Sequence, residues 1–213
     1  MAVVEHPIVF ADVDFCVVDT ETTGGMAALH RVIEVAALHV RDGIVLDRFS
    51  TLINPGRPIP PFISTFTGIT DDMVRSAPSF NEVAAPLRRF LDRGVFVAHN
   101  APFDYKFILH EYQRMGEVWA RPSLCTVRLA RKLFPELPSR SLRPLCDHLM
   151  IDIHGRHRAA GDAEATTYVL NRMLKKMVVE HNVHSLPDVH SFLKPRRKTK
   201  TKDLSYNFHD HAH

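Results

Sequence analysis

The sequence predicts a single α/β domain built on a mixed sheet. Short apolar, β-branched segments come first, and further apolar segments then alternate with patterns typical of helices, which is the order expected for strands and helices packed in layers. The chain has 213 residues, 45% hydrophobic and 24% charged, which is enough for one domain with a sizeable core. This composition excludes disordered, collagen-like and fibrous proteins.

Three strands are predicted at the start of the chain. Residues 15–19 (FCVVD) form a short apolar segment that ends in a polar turn, which indicates a buried strand. Residues 32–40 and 44–53 are two β-rich segments separated by Asp42-Gly43. Asp-Gly between such segments indicates a hairpin, because glycine adopts the positive φ of the turn without strain. At least two of the three strands are therefore expected to be antiparallel.

The remaining elements follow from capping residues and apolar patterns. Ser79 is a suitable N-cap for a helix to Asp92, although Pro86 within it could cause a kink. Asn100 is a candidate N-cap for the helix that follows the next strand. The other predicted elements are a loop at 54–61, a strand at 95–98, a helix to Met115, a β segment at 124–126 with a helix to Phe134, and a helix from Ser141 to His148.

The last predicted helix begins near Asp162 and has a continuous apolar stripe, which we interpret as packed core. After about His181 the pattern is lost, so we predict a domain over 1–180 and a basic, flexible tail over 181–213. The stripe consists of Thr166, Val169, Leu170, Met173, Leu174, Met177 and Val178.

The charge of the chain is unevenly distributed. Residues 194–202 contain six basic side chains and no acid, which leaves 21 basic against 24 acidic residues elsewhere, a net charge of −3. The basic segment is consistent with a solvated tail, with contact to nucleic acid, or with a nuclear-localisation-like signal.

The cysteines and the N-terminus predict the compartment. The three cysteines are far apart without a CxxC pair, which supports neither a disulfide framework nor a thiolate zinc site. The first residues lack the features of a signal peptide, and no apolar segment reaches the ~20 residues of a membrane-spanning helix. We expect a cytoplasmic protein, or a nuclear one in a eukaryote.

Four acidic residues occur at the ends of predicted buried elements. Asp19 and Glu21 end the first strand on one face, Asp104 follows the 95–98 strand, and Asp162 opens the last helix. Each alone is ordinary, but buried carboxylates together need a partner. An all-oxygen set suits Mg²⁺ or Mn²⁺ better than Zn²⁺. Two such ions about 4 Å apart can stabilise an in-line displacement at phosphorus.

The motifs around these acids resemble the DnaQ-like, or DEDDh, family of 3′ to 5′ exonucleases, which includes the epsilon subunits of bacterial DNA polymerase III and stand-alone relatives. The resemblance covers about residues 13–178 and includes the intermediate segments at 67–73 and 125–131. Its three ordered motifs are 15–24 (FCVVDTETTG), 99–104 (HNAPFD) and 157–163 (HRAAGDA).

The resemblance implies a ribonuclease-H-like fold with a mixed five-stranded sheet flanked by helices in a single domain. It also implies hydrolysis of nucleic acid from the 3′ end to nucleoside monophosphates with two Mg²⁺ or Mn²⁺ ions. Asp19 would bridge both ions, Glu21 and Asp162 would complete the site of one, and Asp104 would hold the other. His157 would be the general base, because an imidazole exchanges protons near neutral pH.

Substrate contacts are implied less directly. Thr22, Thr23 and Gly24 are expected to line the terminal nucleotide with their backbone amides, and His99 and Asn100 to bind substrate. Ile69 is expected either to pack on the last base or to belong to the core. Many relatives have histidine where this chain has Thr67, a difference that affects substrate contacts rather than metal ligands.

We therefore expect an enzyme that acts on the 3′ end of nucleic acid, with DNA favoured over RNA, in proofreading or repair. One alternative is an RNA 3′-end-processing exonuclease similar to RNase T. The other is a polymerase-associated interaction subunit with weak catalysis. A DNA polymerase is a candidate partner, and no membrane association is expected.

Overall fold

The computed structural model describes Phe10 and residues 13–153 and 157–194. Its five strands form one mixed sheet in the order β3-β2-β1-β4-β5. The strands are β1 (Phe15–Thr22), β2 (Val32–Arg41), β3 (Ile44–Leu52), β4 (Val95–Ala98) and β5 (Ser123–Cys125). The described helices are α1 (Pro61–Thr67), α2 (Asp71–Val74), α3 (Phe80–Leu91), α4 (Pro102–Arg114), α5 (Thr126–Leu133), α6 (Leu142–Leu149), α7 (Ala159–His181) and α8 (Leu186–Leu193).

The centre of the sheet is β1, which pairs antiparallel with β2 and parallel with β4. The predicted hairpin joins β2 to β3, with Arg41 opposite Ile44. Both turn residues have positive φ, 52° at Asp42 and 77° at Gly43, as a type I′ turn requires. The hairpin prediction is therefore confirmed.

Helices cover both faces of the sheet. Because successive side chains of a strand point to opposite faces, Val17 of β1 packs in the core under α5, α6 and α7, whereas Cys16 and Val18 pack in the core under α3 and α4. The apolar stripe of α7 is buried as predicted, with Val178 partly buried at its edge. These contacts confirm the predicted mixed sheet flanked by helices.

The helix starts show how local sequence sets the boundaries. Ser79 caps α3 through a capping box in which its amide and hydroxyl both donate to Glu82 Oε2 at 2.7 Å. The helix continues past Pro86 to Leu91. The N-cap of α4 is Ala101 and not Asn100 as predicted. Asn100 instead has a φ of 71° and turns the chain just before the helix.

The structure differs from the predicted tail boundary at residue 180. Helix α7 continues to His181, and α8 lies inside the range assigned to the tail. A capping box between Ser185 and Asp188 starts α8, and the side chain of Val189 in this helix is fully buried. The described fold therefore includes residues 181–194, and the prediction of a basic, flexible tail otherwise falls on residues 195–213, which lie outside the described residues.

Candidate active site

Three of the four predicted acids meet near the C-terminal end of the central strand, β1. Asp19 and Glu21 lie on the face of β1 that packs against α7, and Asp162 lies in the first turn of α7. Their carboxylate oxygens all lie within 4.8 Å of one another. The side chains are half-buried, so an ion bound between them would be partly shielded from solvent.

Asp104 is the fourth acid, and it is buried in the first turn of α4. Its Oδ1 accepts hydrogen bonds from the Thr20 amide at 3.0 Å and the Thr20 hydroxyl at 2.8 Å. These bonds hold the Asp104 carboxylate against β1 at Thr20, the residue between Asp19 and Glu21. Burial nevertheless raises the pKa of Asp104 to about 7.

Burial and the charges of neighbouring acids together raise the pKa of Asp19 and of Glu21. The pKa of Asp19 lies well above its usual range, first through burial and then through the charges of Asp104 and Asp162. Burial, followed by the charge of Asp162, raises the pKa of Glu21 to about 7. Such a set releases its protons readily only when a cation compensates the charge, and its all-oxygen chemistry fits a divalent ion such as Mg²⁺ or Mn²⁺.

A buried ion pair lies beside this cluster. Glu34 of β2 is directly opposite Glu21 and is only 3% exposed. It accepts hydrogen bonds from Arg158 Nε at 3.1 Å and Nη2 at 2.6 Å, and from the Ala159 amide at 2.9 Å. The pair was not predicted from the sequence, although one acid within the otherwise apolar 32–38 segment is an unusual feature that indicates a buried partner.

His157 lies just before α7 and has a φ of 56°. Its ring contacts the ring of Phe66 with 4.1 Å between centroids. His157 and Asp162 also line the same cavity of about 190 Å³. Phe66 was not predicted as a site residue. Its side chain lies on α1 and is 60% exposed, which is unusual for a large apolar residue and is visible only in the structure.

The turn after β1 is closed by its own hydrogen bonds. The Thr22 hydroxyl donates to Gly24 O at 2.8 Å, and the Thr23 amide donates to Arg31 O at 2.9 Å. The Thr23 amide is thus bonded within the protein, and contact of this turn with the terminal nucleotide stays a prediction. A Cβ at Gly24 would lie 2.5 Å from His30 Cε1, so a larger residue there would require the His30 ring to move.

The other predicted substrate residues separate into three environments. Ile69 is fully buried with Ile33 and Val74, so the core alternative describes it. His99 donates to or accepts from Thr126 through Nδ1 at 2.9 Å, and burial lowers its pKa to about 4, so it is neutral at pH 7. Asn100 is exposed and lines a cavity of about 240 Å³ with Gly25, Phe103 and Lys106.

The mixed sheet, with two carboxylates on its central strand and a third on its last long helix, defines the class of ribonuclease-H-like nucleases. A family model described as Exonuclease matches residues 16–170. The chain belongs to this exonuclease family, and the predicted resemblance to DnaQ-like exonucleases is confirmed. The predicted enzyme class, an exonuclease that hydrolyses phosphodiester bonds, is confirmed with it.

Curated relatives are PolC-type DNA polymerases III. The protein from Bacillus cereus is 41% identical over 169 residues, which are 79% of this chain and 12% of that protein. The protein from Clostridium perfringens is 38% identical over 175 residues, 82% of this chain and 12% of that protein. The chain thus spans about an eighth of the length of these relatives.

Solved structures show the same fold. Exonuclease X in complex with 5′ overhanging duplex DNA matches with a TM-score of 0.66 and 25% identity, over 85% of this chain and 99% of that chain. Escherichia coli Exonuclease I with a dA16 oligonucleotide matches with a TM-score of 0.69 and 20% identity, over 84% and 45% of the two chains.

Within the described ranges, no helix combines the length and apolar character needed to cross a membrane.

Proposed function

We propose that the protein is a metal-dependent 3′ to 5′ exonuclease that removes nucleoside monophosphates from DNA. The observation that carries this proposal is the convergence of Asp19, Glu21 and Asp162 within 4.8 Å, next to buried Asp104. Arg158, the cation closest in sequence to this site, is committed to Glu34. Because burial and neighbouring acids raise the pKa of Asp19 and Glu21, binding of divalent ions that compensate the carboxylate charge is favoured.

The carboxylates divide the task of holding two Mg²⁺ or Mn²⁺ ions. Asp19 would contact both, Glu21 and Asp162 would complete one site, and Asp104, oriented by Thr20, would serve the other. When bound, the ions would supply charge stabilisation to the attacking and leaving oxygens at phosphorus. The half-buried setting strengthens this electrostatic effect.

His157 is the proposed general base. A neutral ring nitrogen would accept the proton of the attacking water, which becomes the nucleophile at the terminal phosphorus. The bond from this phosphorus to the 3′ oxygen of the preceding nucleotide then breaks. That oxygen takes a proton from solvent to become the new 3′ hydroxyl, and a nucleoside monophosphate is released. His157 lines one cavity with Asp162, which is the arrangement this transfer needs.

The substrate end would lie along the turn formed by Thr22, Thr23 and Gly24, with Asn100 reaching the strand from the 240 Å³ cavity. DNA is favoured as the substrate because the relatives are DNA polymerases and Exonuclease X was solved with DNA. The same relatives support a DNA polymerase as partner and the cytoplasm as location.

The test uses matched DNA and RNA oligonucleotides, each labelled at the 3′ or at the 5′ end, with Mg²⁺, Mn²⁺ or a chelator. We expect early release of 3′-labelled mononucleotide from DNA and a ladder from the 5′ label. Asp19→Asn should abolish release, and His157→Ala should slow it by about 10²- to 10⁴-fold.

The matched control is Glu180→Gln, at the far end of α7 and half-exposed, which should retain the wild-type rate. Absence of release with either metal would refute the proposal. Faster release from RNA than from DNA would replace DNA by RNA as the substrate.

A further inference from the structure

The turn that presents His157 is anchored by a residue that the proposed reaction does not use. Both carboxylate oxygens of buried Glu34 accept hydrogen bonds from Arg158, at 2.6 and 3.1 Å, and one also accepts from the Ala159 amide at 2.9 Å. All these donors belong to the two residues that follow His157. Glu34 thus ties β2 to the chain directly after the proposed base, across 124 positions of sequence.

This anchor matters more for His157 than for Asp162. Asp162 lies within α7, where its amide bonds to Arg158 O at 3.1 Å and ten buried residues fix the helix on the sheet. His157 lies outside the helix with a φ of 56°, a sparsely populated conformation for residues other than glycine. Such a conformation persists only when the surrounding structure enforces it.

We propose that Glu34 is a positioning residue that holds the His157 imidazole at the acidic cluster by clamping Arg158 and the start of α7. The imidazole is then confined between the Phe66 ring and the cavity that it shares with Asp162. The proposal rests on the function proposed above, because it requires His157 to take part in the reaction. Glu34 is buried and both of its oxygens accept hydrogen bonds from Arg158 and Ala159, so the proposal gives it no contact with substrate.

Glu34→Gln tests this role with a side chain of the same size. The amide can still accept one hydrogen bond, but it loses the charge and the second acceptor that hold the guanidinium in two places. The turn is then free to move, and the imidazole leaves its reactive position. We expect kcat to fall roughly 10- to 100-fold, since misplacement of about 1 Å has effects of this size, with KM changed less than about twofold.

A double-mutant cycle separates positioning from a general structural defect. In the His157→Ala background, Glu34→Gln should cause no further loss of kcat beyond about twofold. Glu111 provides the matched control, because it is 1% exposed and accepts from Arg31 Nε at 2.9 Å and the Val32 amide at 3.1 Å. Glu111→Gln removes the same chemistry from α4, and its effect should multiply with that of His157→Ala.

An independent readout is the NMR signal of the His157 Cε1–H, assigned by its absence in His157→Ala. The nearby Phe66 ring shifts this signal, and Glu34→Gln should move it toward the value of free histidine. Arg158→Lys, which keeps the charge but cannot bind in two places, should cause the same shift and provides a second variant if Glu34→Gln does not fold.

Glu34 losses that persist in the His157→Ala background, or an unmoved His157 signal in both variants, would overturn the proposal. Absence of nucleotide release by the wild-type protein would instead refute the function itself, while the NMR comparison would still report whether Glu34 positions His157.

Discussion

At the scale of one residue, burial of Asp104 makes the stability of the fold depend on pH. It is 3% exposed, and burial raises its pKa from 3.8 to about 7. The folded state therefore binds the Asp104 proton more tightly than the unfolded chain does. The stabilisation that this gives is complete below about pH 4 and is lost as the pH rises through about 7. In the metal-free protein, ionised Asp104 thus lowers the free energy of unfolding at pH 8.

Asp104→Asn should remove that cost while Oδ1 still accepts from Thr20. With a chelator present, we expect Asp104→Asn to raise the free energy of unfolding at pH 8 by about 2 to 4 kcal/mol, and to differ little from wild type at pH 4. Urea unfolding followed by circular dichroism at both pH values measures this. Glu180→Gln should show no such pH-dependent gain, and an equal or lower stability of Asp104→Asn at pH 8 would contradict the pKa argument.

The sequence predicted the individual acids better than their surroundings. Asp19, Glu21 and Asp162 carry a local signal, because each stands at the end of an apolar strand or the start of a helix. Glu34 and Arg158 do not, since their pairing joins residues 124 apart and depends on α7 crossing β2. The contact between Phe66 and His157 likewise arises only when α1 packs beside the site.

At the scale of elements, the long periodic segments and the eight-residue helices α5 and α6 were predicted, whereas α1, α2 and α8 were not. The α7 stripe and the β2–β3 hairpin have clear patterns over many residues. By contrast, α1 and α8 have seven and eight residues, which is too few to be stable in isolation. Their stability comes from tertiary packing. The local signal at α8, the capping pattern of Ser185 and Asp188, was overlooked beside the loss of the apolar pattern after His181. Helix α8 was therefore assigned to the tail.

Helix α8 should contribute measurable stability through one side chain. Val189 is fully buried where α8 packs against the core under α7, whereas Val179 of α7 is 66% exposed. Val189→Ala should lower the free energy of unfolding by about 1 to 2 kcal/mol, since it removes two buried methyl groups. Val179→Ala should be neutral or slightly stabilising, because alanine favours helices. Urea unfolding of the two variants compares them, and equal effects would mean that α8 is not docked.

The charge of the whole molecule depends on its metal content. Apart from the six basic residues of 194–202, the chain has a net charge of −3, and part of that charge lies in the active-site cluster. Under the proposed function, two divalent ions would add four positive charges at the point where the substrate phosphates approach. Metal binding would then favour binding of a polyanionic substrate as well as the reaction.

Proton and metal compete for this cluster, so metal binding should stabilise the fold in a pH-dependent way. Burial raises the pKa of both Glu21 and Asp104 to about 7, and both must lose their protons to act as ligands. We expect Mn²⁺ or Mg²⁺ to raise Tm more at pH 8 than at pH 6, because only the folded protein gathers the ligands. Thermal unfolding with and without metal at each pH measures the shift, with no substrate present. Asp19→Asn should lose most of it and Glu180→Gln should keep it; a shift that is independent of pH, or that survives in Asp19→Asn, would place the ions elsewhere.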